Sequence, residues 1–380
     1  MNLADVHLVL FLSRAVPLAE WHARGILERE IALYKALRPH LGGLDIVTSG
    51  GPEELDYQDH LGDINILYNR WGLPPNAYSL LAPFLHRRAL RAATVYKTNQ
   101  LDGAWTAVIA GRIHHKPVIV RAGYPWSLNF RRVTGRNTRK GRLIHAAERF
   151  SLRRTRRITV TTERLRQHFA VDHDISPEKI AVIPNYVDTE QFRPKPGLSP
   201  EPGRVVFVGK LKSSKNLPKL LEAMSHLEEA QLTLIGAGPL RETLAEQAAS
   251  LGLDVVFAGQ IPNPHLPDEI NRAQVFVLPS RYEGHPKALI EAMACGVAVV
   301  GTDVVGIRDV IHHEETGLLC QPSPVAIAAA LERLLEDDLL RGELGQAARA
   351  YAEKAYSLDR IVEMELSTLR QVAQDGHHDR

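Results

Sequence analysis

The chain is poor in cysteine. It has two, Cys295 and Cys320, in 380 residues. That is too few, and too far from any metal spacing, for a disulfide framework or a cysteine-rich metal site. A reduced, cytoplasmic setting is the expectation. Long apolar runs are also missing: no stretch approaches the ~18 residues that a membrane-spanning helix needs. The first residues, MNLADVHLVLFLSR, carry Asp5 early and no basic leader, so they read as a first strand and not as a secretion signal. No fixed-period repeat is present. Aromatics make up only 6% of residues and no nucleic-acid recognition motif occurs, so a nucleic-acid partner is not expected. The pairs His114-His115, His312-His313 and His377-His378 lack zinc spacing. Asp172-His173-Asp174 spells a DxD string in a loop before an apolar run, and reads as coincidence. No metal and no cofactor is expected.

What is present suits two soluble domains of ~100–200 residues each: 44% hydrophobic and 24% charged residues. The net charge of +2 is unevenly spread. Residues 1–190 hold 27 Lys and Arg against 18 Asp and Glu, whereas the remainder holds 19 against 26. Short apolar runs alternate with helix-period stretches. Seven strands are predicted before residue 190 (7–12, 44–49, 64–69, 93–98, 116–122, 157–162, 180–185) and five after it (204–209, 232–237, 255–260, 275–280, 297–302). Helices are predicted at 25–38, 76–92, 142–154, 163–170, 215–226, 239–251, 267–272, 286–295, 306–312 and 324–336. Such alternation implies βαβ units and parallel sheets, so an α/β fold. Pro194, Pro196, Pro200 and Pro202 mark a linker at 191–203. The predicted domains are therefore 1–190 and 204–355, both doubly wound and Rossmann-like, with a helical segment and tail at 356–380. Ligands of such sheets bind beyond the C-terminal strand ends, so two domains facing across a cleft would share one site.

Three segments carry chemistry. In RYEGHPKALIEAMACG (281–296), Glu283 sits in a loop and Glu291 eight positions later on a helix that Pro286 opens. The helix start would offer backbone N–H groups to an anion, Gly284 allows close approach, and carboxylates accept hydrogen bonds from sugar diols. A nucleotide sugar fits that spacing; one loop glutamate and one ordinary helix glutamate is the plain alternative. In VFVGKLKSSKNL (206–217), Lys210 and Lys215 follow a strand ending at Gly209 and could clamp a diphosphate, or form a solvated basic loop. In LIGAGPLRE (234–242), Gly236 and Gly238 begin a dinucleotide fingerprint, but Arg241 stands where the third glycine belongs, so a tight turn is the better reading.

Together with IPNYVDTEQFRP (183–194) before them and ETGLL (315–319) after them, these segments resemble, in order, those of glycosyltransferase family 4, retaining enzymes of the GT-B fold. The resemblance is ordered over roughly 180–320; residues 1–175 share only the strand–helix rhythm. It implies a metal-independent, retaining glycosyltransferase that moves a sugar from a nucleotide-diphosphate sugar to a hydroxyl of a glycan or lipid-linked acceptor in cell-surface polysaccharide or glycolipid synthesis. By the same analogy Glu283, Lys210 and Lys215 are catalytic. Glu291 would hold the ribose, while Gly209, Gly259, Ile261, Gly284, His285, Pro286, Lys287 and the weaker candidate Gly25 would line the donor site. Lys210 stands where the family has arginine, which keeps the charge and removes a bidentate fork. Acceptor candidates are Trp21, Asn99, Gln100, Arg121 and Tyr124, with Lys97 ending the same strand as Asn99. The family's usual histidine after PVIVRA is Gly123 here. A final helix would cross back to the first domain. The run 131–157, with eleven Lys and Arg and the single acid Glu148, suits peripheral contact with an anionic membrane or a plain solvated face. A non-hydrolysing nucleotide-sugar epimerase and a non-catalytic nucleotide-sugar-binding protein are the rival readings.

Overall fold

The apolar runs form strands because β-branched and aromatic residues suit a pleated, doubly covered surface. The computed structural model describes residues 2–125, 127, 130 and 138–378. It divides into two units: residues 1–184 with 361–380, and residues 185–360.

In the first unit the strands are β1 (His7–Phe11), β2 (Gly43–Val47), β3 (Asn65–Leu67), β4 (Val95–Thr98), β5 (Val118–Ala122), β6 (Arg157–Val160) and β7 (Ile180–Val182). All pairs are parallel, in the order β3-β2-β1-β4-β5-β6-β7. The second unit holds β8 (Arg204–Val208), β9 (Gln231–Ile235), β10 (Val255–Gly259), β11 (Val275–Leu278), β12 (Ala298–Thr302) and β13 (Leu318–Cys320). Its parallel order is β10-β9-β8-β11-β12-β13. The central strands β8, β11 and β12 are buried at every position, as helices on both faces require. Each sheet reverses its winding once, between β1 and β4 and between β8 and β11.

The twelve predicted strands all form, and β13 is added. The helices agree less well. Ala104–His114 was not predicted: Ala104, Thr106, Ala107, Val108, Ala110 and Gly111 are all buried, so no polar face marks its period. Leu18–Ala23 and Asp338–Tyr356 are also additional. The stretch 306–312 is turn, not helix. The predicted helix 76–92 breaks at His86, just after Pro83, which cannot donate to the Ser79 carbonyl.

The unit boundary at 184/185 precedes the Pro-rich stretch, which corrects the linker reading of 191–203. Phe192 is buried in the second core, Asn271 binds the Lys195 amide and the Arg193 carbonyl, and the Lys195 ammonium pairs with Asp268. Proline here stiffens a strap on the second unit.

Candidate functional site

β8 and β11 are neighbours in space but not in sequence, so the loops that follow them flank the crevice where the winding reverses. Lys215 Nζ lies 2.5 Å from Glu283 Oε1 across it, with both side chains 14% exposed. Ser280 donates its hydroxyl to the same carboxylate oxygen at 2.5 Å. Ser280 is in turn held through its carbonyl by the Thr302 hydroxyl at 2.5 Å. The two loops are stitched together by Arg281 N–H to the Ser214 carbonyl, 2.8 Å, and Arg281 Nε to Asn216 Oδ1, 3.2 Å. Lys210 is exposed beside them, as is Lys212, which sequence reasoning passed over. Partial burial, then the Lys215 and Lys210 charges, lower the Lys212 ammonium's pKa, and Glu283 acts against them. The loop is a concentration of positive charge with one carboxylate to balance it.

Glycines here answer close approach. A Cβ on Gly236 would sit 2.0 Å from the Gly209 carbonyl oxygen, and one on Gly238 2.3 Å from that of Leu211. The Gly-x-Gly pair therefore lets the loops after β8 and β9 touch, which is the tight-turn reading. Gly306, missed in the sequence, has φ +89, and its Cβ would lie 2.5 Å from the Glu283 carbonyl oxygen. Gly306→Ala should destabilise the fold by about 2 kcal/mol or more, from left-handed strain plus overlap. A thermal melt matching wild type would show that the 283–284 loop yields instead.

The helix after this loop is Lys287–Ala294, with Pro286 at the N-cap, one residue later than predicted, and no side-chain cap. Ile290 N–H returns to the Pro286 carbonyl at 3.3 Å. The amides of Ala288 and Leu289 precede it in the first turn, a position that suits an anion. Gly284 leads into this start. The His285 ring is buried edge-on to Tyr356 at 5.1 Å, and its carbonyl accepts from Asn185 Nδ2 at 2.7 Å, so His285 anchors the loop by packing. Lys287 reaches over the Tyr186 ring, 5.4 Å from Nζ to the centroid. Glu291 is 2% exposed, and its Oε1 accepts from Asn263 Nδ2 at 3.2 Å. Asn263 follows the turn in which Gly259 takes φ +69 and Ile261 packs on the core edge. The second glutamate is thus joined to the loop after β10 through an asparagine that the sequence did not single out.

In the first unit the candidates separate. Trp21 is 4% exposed, so its face is not open to stack on a sugar. Arg121 is also corrected: it is buried and turned inward, its Nη1 3.6 Å from Glu365 Oε1. Lys97 is fully buried and paired with the same Glu365, so it is part of the interior and not of a binding surface. Burial pushes the Lys97 ammonium down, Glu365 pulls it up and Arg121 pushes it down again. Asn99 Oδ1 accepts from Ser13 Oγ at 3.1 Å across the β1/β4 reversal. Gln100 and Tyr124 remain at the ends of β4 and β5, Tyr124 39% exposed. The space that a side chain at Gly123 would fill is taken by the Gln100 amide, with Oε1 3.1 Å from the position of a Cβ.

Gly25 does not belong to the loop after β1. The helix Leu18–Ala23 intervenes, and Gly25 follows it with φ +64. That helix start is already occupied: the buried Glu54 carboxylate accepts from Leu18 N–H at 2.9 Å, Ala19 N–H at 3.0 Å and the Thr48 hydroxyl at 2.5 Å. No second anion can take those donors, so Gly25 gains no phosphate role from them.

Asp172 and Asp174 of the DxD string are held by different side chains, the His168 ring at 3.2 Å and the Arg153 guanidinium at 2.7 Å. Among the described residues, donor atoms of His145, Glu148 and His173 come within 4.8 Å of one another. The two imidazoles also stack, with centroids 4.8 Å apart. Residues 131–137 of the basic run lie outside the described residues. Among the described residues no helix is long and apolar enough to cross a membrane.

Residues 31–191 match the family described as Glycosyltransferase Family 4, and residues 188–351 match Glycosyl transferases group 1. The chain is 29% identical, over 57% of its length, to an uncharacterized glycosyltransferase of Methanocaldococcus jannaschii, and covers 60% of that protein. It is also 29% identical, over 62% of its length, to the 2-deoxystreptamine glucosyltransferase of Streptomyces kanamyceticus, covering 67% of it. The match thus spans about two thirds or less of these relatives' length. Among solved structures, Anabaena HepE in complex with UDP and glucose is similar in fold, with a TM-score of 0.78 at 17% identity over 96% of this chain and 100% of that one. Two parallel sheets, each wound about one reversal, and two adjoining family matches that together leave few residues uncovered have one common source: the chain belongs to glycosyltransferase family 4 and has the GT-B fold.

Proposed function

We propose that the protein is a retaining glycosyltransferase that takes a sugar from a nucleotide-diphosphate sugar and passes it to a hydroxyl of a glycan or lipid-linked acceptor in polysaccharide or glycoconjugate synthesis. The observation that carries this reading is the Lys215–Glu283 pair at the β8/β11 reversal, beside a helix start with no side-chain cap. Without ligand the two side chains satisfy each other. A diphosphate carries more charge than one carboxylate and draws Lys215, with Lys210, Lys212 and the amides of Ala288 and Leu289 as further donors. Glu283 is then released to accept hydrogen bonds from the sugar. As the bond from the anomeric carbon to the phosphate oxygen breaks, these groups stabilise the growing negative charge. The acceptor oxygen bonds to the anomeric carbon on the same face, and its proton passes to the departing phosphate oxygen. No protein nucleophile and no metal is needed in this scheme.

Glu291, held by Asn263, is the candidate partner of the ribose hydroxyls. Uridine is the first base to test, since HepE is described with UDP. Gln100, Asn99 and Tyr124 are the acceptor-side candidates that stay available. The basic run supports an acceptor at an anionic lipid surface. A thermal-shift panel with UDP, GDP and ADP tests the donor half. UDP should raise the melting temperature of wild type but not of Glu291→Ala, because only a ligand that prefers the folded state stabilises it. No shift with any nucleotide, or an equal shift in the variant, would remove the ribose role.

A further inference from the structure

The first unit carries a basic concavity at the end of its sheet where strands begin. It has a volume of about 820 Å³ and is lined by Arg91, Arg112, Lys116, Arg153, Arg154 and Arg156, with two histidines. No acidic side chain lines it among the described residues. Arg91 ends the helix Arg87–Ala92, Arg112 lies in the last turn of Ala104–His114, and Lys116 leads into β5. Arg153 and Arg154 end the helix Arg139–Arg154, and Arg156 leads into β6. All six therefore gather where strands begin, whereas Asn99, Gln100 and Tyr124 lie where strands end. A substrate of the doubly wound sheet binds at the latter end, so this concavity is not part of that site.

Basic residues are ordinary at helix C-termini, where they offset the macrodipole, and that explanation has a limit. Three helices end here, each worth roughly half a negative charge. Two carboxylates answer two of the cations: Asp174 pairs with Arg153 at 2.7 Å and Asp375 with Arg156 at 3.3 Å. With Lys116 left aside, the five guanidinium groups still leave an excess of roughly one to two positive charges. Arg91 and Arg112 make no ion pair among the described residues, and Arg154 lies over the Phe150 ring at 4.5 Å. The local field is felt nearby: burial, then the Arg156 charge, push the Lys179 ammonium down. The volume falls in the range of pockets that take whole small molecules, about 300–1,000 Å³, and exceeds what one inorganic ion fills.

We infer that this concavity is a binding site for a multiply phosphorylated anion, separate from the nucleotide-sugar site. Guanidinium groups suit phosphate oxygens because they donate in pairs. The phosphates could belong to a free oligophosphate or to headgroups at a lipid surface. Arg91→Glu/Arg112→Glu tests the site, since both positions are exposed and their reversal breaks no ion pair among the described residues, and two probes separate the sources. Tripolyphosphate is titrated calorimetrically into the full chain saturated with UDP, at about 0.15 M salt. In parallel, vesicles of phosphatidylglycerol or phosphatidylcholine are pelleted with it. Binding of tripolyphosphate by wild type, weakened about 100-fold in the double variant, supports the site with a soluble ligand. Pelleting with phosphatidylglycerol alone, lost in the variant, supports it with a lipid source. If neither probe binds wild type, or both variants of the chain bind equally, the proposal is overturned. The UDP thermal shift of the double variant should match wild type, which keeps this test apart from that of the donor site.

Discussion

Glu283→Gln should lower kcat by about 100- to 1,000-fold, the scale seen when one preorganised polar group at a reacting centre is removed. The amide keeps the size of the carboxylate and can still meet the Ser280 hydroxyl. It cannot hold the Lys215 ammonium as an ion pair, nor accept from two sugar hydroxyls with two equal oxygens. The two consequences run in opposite directions, which makes the variant informative. Lys215 is no longer competed for, so the affinity for UDP should hold or rise. Turnover should fall because the sugar has lost its acceptor. Steady-state kinetics with a competent nucleotide sugar, together with UDP calorimetry, separates the two. Wild-type kcat in Glu283→Gln would end the catalytic assignment. A parallel loss of UDP affinity and turnover would make Glu283 a structural brace for the Lys215 loop.

Glu365→Ala should destabilise the first unit by about 3–5 kcal/mol, the cost of leaving a buried charge without its partner. Glu365 and Lys97 are fully buried and Arg121 is nearly so. Removing the Glu365 carboxylate takes from Lys97 and Arg121 the acid they share in the interior. Lys97→Met combined with Glu365→Leu should recover much of the loss, because an apolar pair of similar volume replaces an ion pair with little penalty. Urea unfolding followed by two probes is the suitable measurement, since a chain of two units need not unfold in one step. If Glu365→Ala unfolds at the wild-type midpoint, water reaches the network and the charge is not truly buried. Arg121 was a binding candidate in the sequence for a sound reason: it sits at the end of a strand in a sheet whose ligands bind there. The helix that brings Glu365 to it lies 244 positions later in the chain, and no local pattern announces that meeting.

The parallel, doubly wound character of each sheet was implied by alternation, since short apolar runs separated by helical stretches leave few ways to bury both faces of a sheet; the strand order came only from the structure. The short loops of the second unit were legible as well. Gly209, Gly284 and Pro286 act through their own backbone, and Lys215, Glu283 and Glu291 lie on segments whose order along the chain is itself the signature. Local chemistry and local spacing carry that information, so one dimension sufficed. Ser280, Asn263 and Gly306 were not legible, because a serine, an asparagine and a glycine acquire their roles only from the carboxylate or carbonyl placed against them. Trp21 and Lys97 show the same limit from the other side. A tryptophan or a lysine beside a strand end is equally suited to a ligand and to the interior. Burial decides between them, and burial is a property of the packed unit. The sequence determined which residues could do the chemistry; the tertiary structure decided which of them are free to do it, because each buried charge must find its partner before any side chain is left for a substrate.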